Sequence, residues 1–238
     1  MEHVRFLERP VLRDPALVVA FTGWGDAAAA ASSAALRLLR GRDLSQAVSF
    51  DSEAFYVLTA ARPLVRRSAE RQWIVWASLG LLVGKSSGPG RDLVVLVAAE
   101  PQTRWRAFSQ AVAESWLALG GGPAIFLGSF LARRPPVGPV ALFGTGSTPA
   151  LAGLLRALDV LPNVYEGPTT ALMPIYEALA ARGVPCAEVW AAIPHLLYRL
   201  PNPKATEALL RVVCRVHDVS LDPSDPGWAA RSSDTDIA

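Results

Sequence analysis

The chain has 238 residues, 51% of them apolar and 18% charged, with 23 Lys and Arg against 21 Asp and Glu. That length supports a large buried core, and a net charge of +2 without a basic block gives no electrostatic basis for binding nucleic acid. No apolar run reaches the length of a membrane helix, and Met1–Arg13 carries acids and arginines where a signal peptide has an apolar segment. Neither a nucleic-acid nor a membrane partner is expected, and the expected location is cytoplasmic.

In chain order, the β-branched run Ala16–Phe21 reads as a strand and is followed by a helix from Asp26. Ala47–Phe50 reads as the next strand. Between Arg62 and Gly90 the pattern changes: Pro63–Val65 and Gln72–Ser78 read as a hairpin or extended insertion, so the sheet is expected to be mixed. Leu93–Val97 is a strand before a helix capped by Thr103, with Trp105, Phe108, Val112, Trp116 and Leu119 on one face and Gly120–Gly122 at its end.

Strands are expected at Ala124–Leu127, Val140–Phe143 and Ala187–Ile193. Thr148 before Pro149 and Asn202 before Pro203 each place a capping side chain ahead of a proline at the first helical position. Leu151, Leu154, Leu155 and Leu158 then share one helical face, as do Ala205, Leu209, Val212 and Val213. This alternation predicts one α/β domain over residues 1–220, followed by an extended or disordered tail over 221–238 that is rich in Pro, Ser and Asp. Cys186 and Cys214 form no CxxC pair, and with only His3, His195 and His217 to add imidazole, neither a metal nor a cofactor is expected.

Gly23-Trp24-Gly25-Asp26-Ala27-Ala28 has the spacing of a dinucleotide-binding turn between a strand and a helix, and Asp51 stands where a ribose-binding acid would. Against that, Asp26 in the first helical turn can itself accept the free N–H groups and repels a pyrophosphate. The alternative is a tight structural turn. Gly80–Ser86 is one residue short of a Walker loop and reads as a hairpin-like loop, and Gly144–Ser147 reads as a turn before Thr148. Glu100-Pro101 follows a strand, as does Pro194-His195, and each is a candidate for a ligand-binding rim at strand C-termini. No G-x-S-x-G elbow accompanies His195, and no catalytic residue is assigned.

Five blocks in order carry a resemblance: "FTGWGDAAAAASSAAL", "FYVLTAARP", "DLVVLVAAEPQTRWRAF", "YEGPTT" and "WAAIPHLLYRLPNPKATEALL". Together the sequence resembles the proteasome assembly chaperone family of the second, α/β type, as a prokaryotic member. The resemblance implies a three-layer α/β/α fold with a mixed central sheet, similar to phosphorylase/hydrolase-like domains. It implies a non-enzymatic chaperone-like or scaffold protein acting through protein–protein contacts, as a homo-oligomer, with a proteasome subunit as client where the host has one. The expected rim for a ligand or partner is Gly23, Trp24, Gly25, Asp26, Glu100, Pro101, Tyr165, Glu166, Gly167, Pro168, Pro194 and His195. The alternative function is a small-molecule or nucleotide-binding enzyme at the same rim. The chain ends Asp236-Ile237-Ala238, without the hydrophobic–Tyr–any-residue tripeptide of chaperones that dock between proteasome subunits, so docking by that route is not expected.

Overall fold

The computed structural model describes residues 2–135, 137–198 and 200–221, so all of the expected tail except Leu221 lies outside the described residues. In chain order the elements are β1 (Val4–Phe6), β2 (Ala16–Thr22), a 3-10 turn (Ala27–Ala29) leading into α1 (Ala30–Arg37), β3 (Asp43–Phe50), α2 (Ser52–Phe55), β4 (Leu64–Arg67), β5 (Gln72–Val75), β6 (Gly80–Lys85) and β7 (Leu93–Ala99). These are followed by α3 (Trp105–Ala118), β8 (Ala124–Ala132), β9 (Leu142–Gly146), α4 (Pro149–Ala157), β10 (Val160–Pro162), α5 (Leu172–Ala180), β11 (Cys186–Pro194), a 3-10 turn (His195–Leu197) and α6 (Pro203–His217).

Among the described residues nine strands form one mixed sheet in the order β1-β3-β6-β7-β2-β8-β11-β9-β10. The central four, β7, β2, β8 and β11, run parallel, with Leu17 opposite Val94 on one side and Ala124 on the other. Antiparallel β6 and β9 flank them. Ala16–Phe21 is buried along its whole length, the signature of a parallel strand covered on both faces.

Helices α1, α4 and α6 cover one face of the sheet and α3 and α5 the other, each over its own apolar cluster. In α1 the small side chains of Ala30, Ala31, Ala34 and Ala35 have no exposed surface and allow the helix to lie against both the sheet and α6. Thr148 Oγ1 accepts from Leu151 N–H and Asn202 Oδ1 from Ala205 N–H, as their sequence positions predict. Buried His217 at the end of α6 reaches the carbonyl of Leu17 on β2, 3.3 Å away, and burial pushes its pKa down to about 4. Among the described residues no helix is long and apolar enough to cross a membrane.

Several elements differ from the sequence reading. Gly80–Lys85, read as a loop, is β6 inside the main sheet, and Gly144–Gly146, read as a turn, belongs to β9. In both cases glycine serves close approach rather than turning: a Cβ on Gly80 would lie 2.2 Å from the Val48 carbonyl oxygen, and one on Gly144 would lie 2.3 Å from that of Glu188. The cap position of α3 is Arg104, in left-handed backbone and without a side-chain cap, rather than Thr103. Helix α5 has no counterpart in the sequence reading because Pro174 interrupts its pattern, although proline is tolerated in a first turn.

Candidate functional site

Strand β2 ends at Thr22 and the chain turns sharply. Gly23 has φ +127°, where a side chain would be strained, and a Cβ on Gly25 would meet Thr170 Cγ2 at 2.8 Å. The turn is pinned to β8: Ser129 N–H donates to the Gly25 carbonyl (2.8 Å) and its hydroxyl to the Ala27 carbonyl (2.9 Å). Ala28 and Ala29 both follow in left-handed backbone, at φ 56° and 52°.

Asp26 faces inward. Its Oδ1 accepts from the N–H groups of Ala31 (2.9 Å) and Ser32 (3.2 Å), and its Oδ2 from the Ser32 hydroxyl (2.5 Å). The carboxylate therefore occupies the start of α1, where a pyrophosphate would sit in a dinucleotide fold. Asp51 is likewise engaged, accepting from Glu53 N–H at the cap of α2, and its strand β3 is separated from β2 by β6 and β7. The two features that point to a nucleotide are thus a structural turn and a local cap.

Glu100 follows β7 beside this turn, its Cβ 3.7 Å from where a Cβ on Gly23 would stand. Its Oε1 accepts from Ala171 N–H (2.8 Å), and burial raises its carboxyl pKa, partly offset by that hydrogen bond. The Pro101 carbonyl accepts from Trp105 Nε1–H (2.6 Å), and Gln102 links the Glu100 carbonyl to the Val57 N–H. Glu100, Pro101, Gln102 and Trp105, with Thr22, Gly23 and Ala99, line an open hollow of ≈ 430 Å³.

The segment ending at Thr170 and Ala171 borders the same rim. Tyr165 N–H donates to Asn163 Oδ1 and its hydroxyl to the Pro168 carbonyl, so the exposed run Tyr165–Pro168 closes on itself. Beneath it Glu188 is buried and fully engaged: Asn163 Nδ2–H donates to Oε1 (2.9 Å) and Trp190 Nε1–H to Oε2 (2.8 Å). The Trp190 ring lies flat over Gly128, where a Cβ would come within 2.2 Å of it. Outward, Trp24 is 64% exposed, Val164 86% and Tyr165 63%.

A model of the PAC2 family matches residues 20–233. The chain belongs to the PAC2 family. It is similar to a PAC2 family protein from Streptomyces avermitilis at 35% identity, TM-score 0.81, covering 94% of this chain and 96% of that one. A proteasome-assembly chaperone homologue from Mycobacterium tuberculosis is 32% identical, with TM-score 0.79 over 94% and 95%. The fold is shared with Pyrococcus furiosus PbaB, an archaeal proteasome activator, at 15% identity and TM-score 0.70 over 98% and 94%. Comparison with curated proteins gives no match.

Within this PAC2 fold the rim residues separate into two groups. Gly23–Asp26 and Glu100-Pro101 come together with Thr170 and Ala171, which follow the Tyr165–Pro168 segment. Pro194-His195 does not: β11 continues four residues past Trp190, about 13 Å at strand rise, and ends opposite Ala132. His195 is exposed there, and no hydrogen bond or ion pair among the described residues joins it to the rim. Thr170, Glu188, Trp190 and Gly128 shape the site yet were not singled out from the sequence. A lone Gly and a lone Glu inside the apolar strands "AIFLGSF" and "CAEVWAAIP" were the available signal. Among the described residues no group of three or more His, Cys, Asp and Glu is placed to hold a metal ion.

Proposed function

We propose that this PAC2 protein is a non-catalytic, chaperone-like cytoplasmic protein that works through protein–protein contacts at the rim, as a homo-oligomer. One observation carries the reading: the rim's polar groups serve the fold, while its large apolar side chains face water. Asp26 and Glu188 are spent on N–H and O–H donors of their own chain, whereas Trp24, Val164 and Tyr165 are open. A surface of that kind suits a protein partner better than a reaction. The names of the similar structures, a proteasome-assembly chaperone homologue and a proteasome activator, support a proteasome subunit as the client in a host that has one.

The test is co-purification from the host with the wild type and with a Trp24→Ser/Tyr165→Ser variant. The expected result is a defined protein partner that the variant loses while its Tm is unchanged. The hollow beside Glu100 favours a second reading, a small-molecule or nucleotide ligand. A nucleotide present at a hundred times its Kd stabilises a fold by about 2.7 kcal/mol. A rise in Tm corresponding to that stabilisation with any nucleotide would replace the interaction reading, and no shift retains it.

A further inference from the structure

Strands β4 and β5 form a sheet of their own, hydrogen-bonded to each other and not to the main sheet. Every residue from Leu64 to Trp76 is exposed. The hairpin stands out as an arm, and Leu64, Val65, Trp73, Ile74, Val75 and Trp76 on it are each 39–53% exposed. An isolated two-stranded hairpin is marginal in water, and this one shows apolar side chains on both faces. Those six together leave on the order of 500 Å² of apolar surface uncovered, in the range of the patches that often mark interaction sites. It is most of the area that one partner contributes to a standard interface, about 800 Å².

Charge selects what covers it. The arm, residues 62–76, carries Arg62, Arg66, Arg67 and Arg71 against Glu70, a net charge of +3. Two arms therefore repel each other. The rim segment 163–170 has the opposite character: it holds exposed Glu166 and no Lys or Arg. It also presents exposed Val164 and Tyr165. A basic apolar projection and an acidic apolar receiver stand on one chain, and the arm's exposure means that it does not fold back onto its own rim.

We propose that the arm of each copy seats on the rim of a second copy of this chain, so that every copy gives one arm and receives one. The contact is heterologous, arm to rim, and closes as a ring or as a reciprocal pair. This assignment rests on the interaction reading above and names the partner and the surface.

The experiment uses the full chain and its mass in solution, by light scattering, with far-UV circular dichroism on every variant. The wild type is expected at a multiple of 25.4 kDa. Val65→Glu/Ile74→Glu changes two exposed arm positions and is expected to fall to the monomer mass with an unchanged spectrum. Arg66→Glu/Arg67→Glu is expected to dissociate likewise, and adding Glu166→Arg to restore part of the assembly. Cysteines placed as Ser68→Cys and Glu166→Cys on separate copies are expected to cross-link when the two are mixed. A wild type that stays monomeric at its highest soluble concentration overturns both this proposal and the homo-oligomer in the reading above. An assembly that survives the arm variants overturns the arm assignment alone, and Ser68–Ser68 cross-links in its place would make the contact arm to arm.

Discussion

The rim and the arm treat polar and apolar groups in opposite ways. At the rim, two carboxylates are turned inward and engaged: Asp26 accepts from three donors and Glu188 from two side chains. In the arm, tryptophans and branched aliphatics stand in water on a two-stranded sheet. The difference separates the groups that hold this chain together from those it leaves in water. Charged groups near a turn are not by themselves a site, and apolar groups on a surface are not by themselves a core.

That division predicts how substitutions behave, and each can break it. The largest effect is expected for Gly128→Ala, which drives a methyl into the Trp190 ring; unfolding by denaturant should show a loss of about 3 kcal/mol, as for overpacked cores. Asp26→Ala removes a buried acceptor from three donors at the start of α1 and is expected to cost about 2 kcal/mol. If Asp26→Ala leaves stability unchanged, the rim carboxylate is not structural. Ala28→Gly relieves a left-handed alanine and is expected to raise stability by roughly 1 kcal/mol in the same assay.

Glu100→Gln has a smaller effect that depends on pH. The folded carboxyl titrates above its ordinary value of 4.5, so between the unfolded and folded pKa the folded state binds more protons. Stability is then lost as pH rises through that window. The amide, which keeps an acceptor for Ala171 N–H, is expected to raise Tm at neutral pH relative to wild type and to give no gain at pH 4. Smallest of all, Ile74→Ser in the arm is expected to change the unfolding free energy of the dissociated chain by less than about 0.5 kcal/mol, as an exposed position should. A larger loss would mean that the arm belongs to the core.

The sequence discloses those elements whose signals are local. The buried strand Ala16–Phe21, the caps Thr148 and Asn202 ahead of their prolines, and the hairpin or insertion expected at Pro63–Val65 and Gln72–Ser78 are all legible from adjacent residues, the hairpin strands being Leu64–Arg67 and Gln72–Val75. Glycine was the principal source of error. Gly80 and Gly144 look like punctuation, yet they lie in strands because a neighbouring backbone crowds the place of a side chain. At the rim, the turn at Gly23–Asp26 and the acid at Glu100 could be read directly. The Trp190–Glu188–Asn163 chain could not, because its partners meet only through strand pairing and a long return loop.

The left-handed turn before α1 bears on when that helix can exist. It is held by Ser129 on the Ala27 carbonyl and by the Asn202 N–H on the Ala28 carbonyl, and Thr206 reaches Ala30 from α6. Eight residues of helix do not sustain themselves in water, and contacts so distant in sequence form slowly. The first helix to leave the ribosome is thus completed by the last one, and a nascent chain truncated before Asn202 lacks every α6 contact that braces α1.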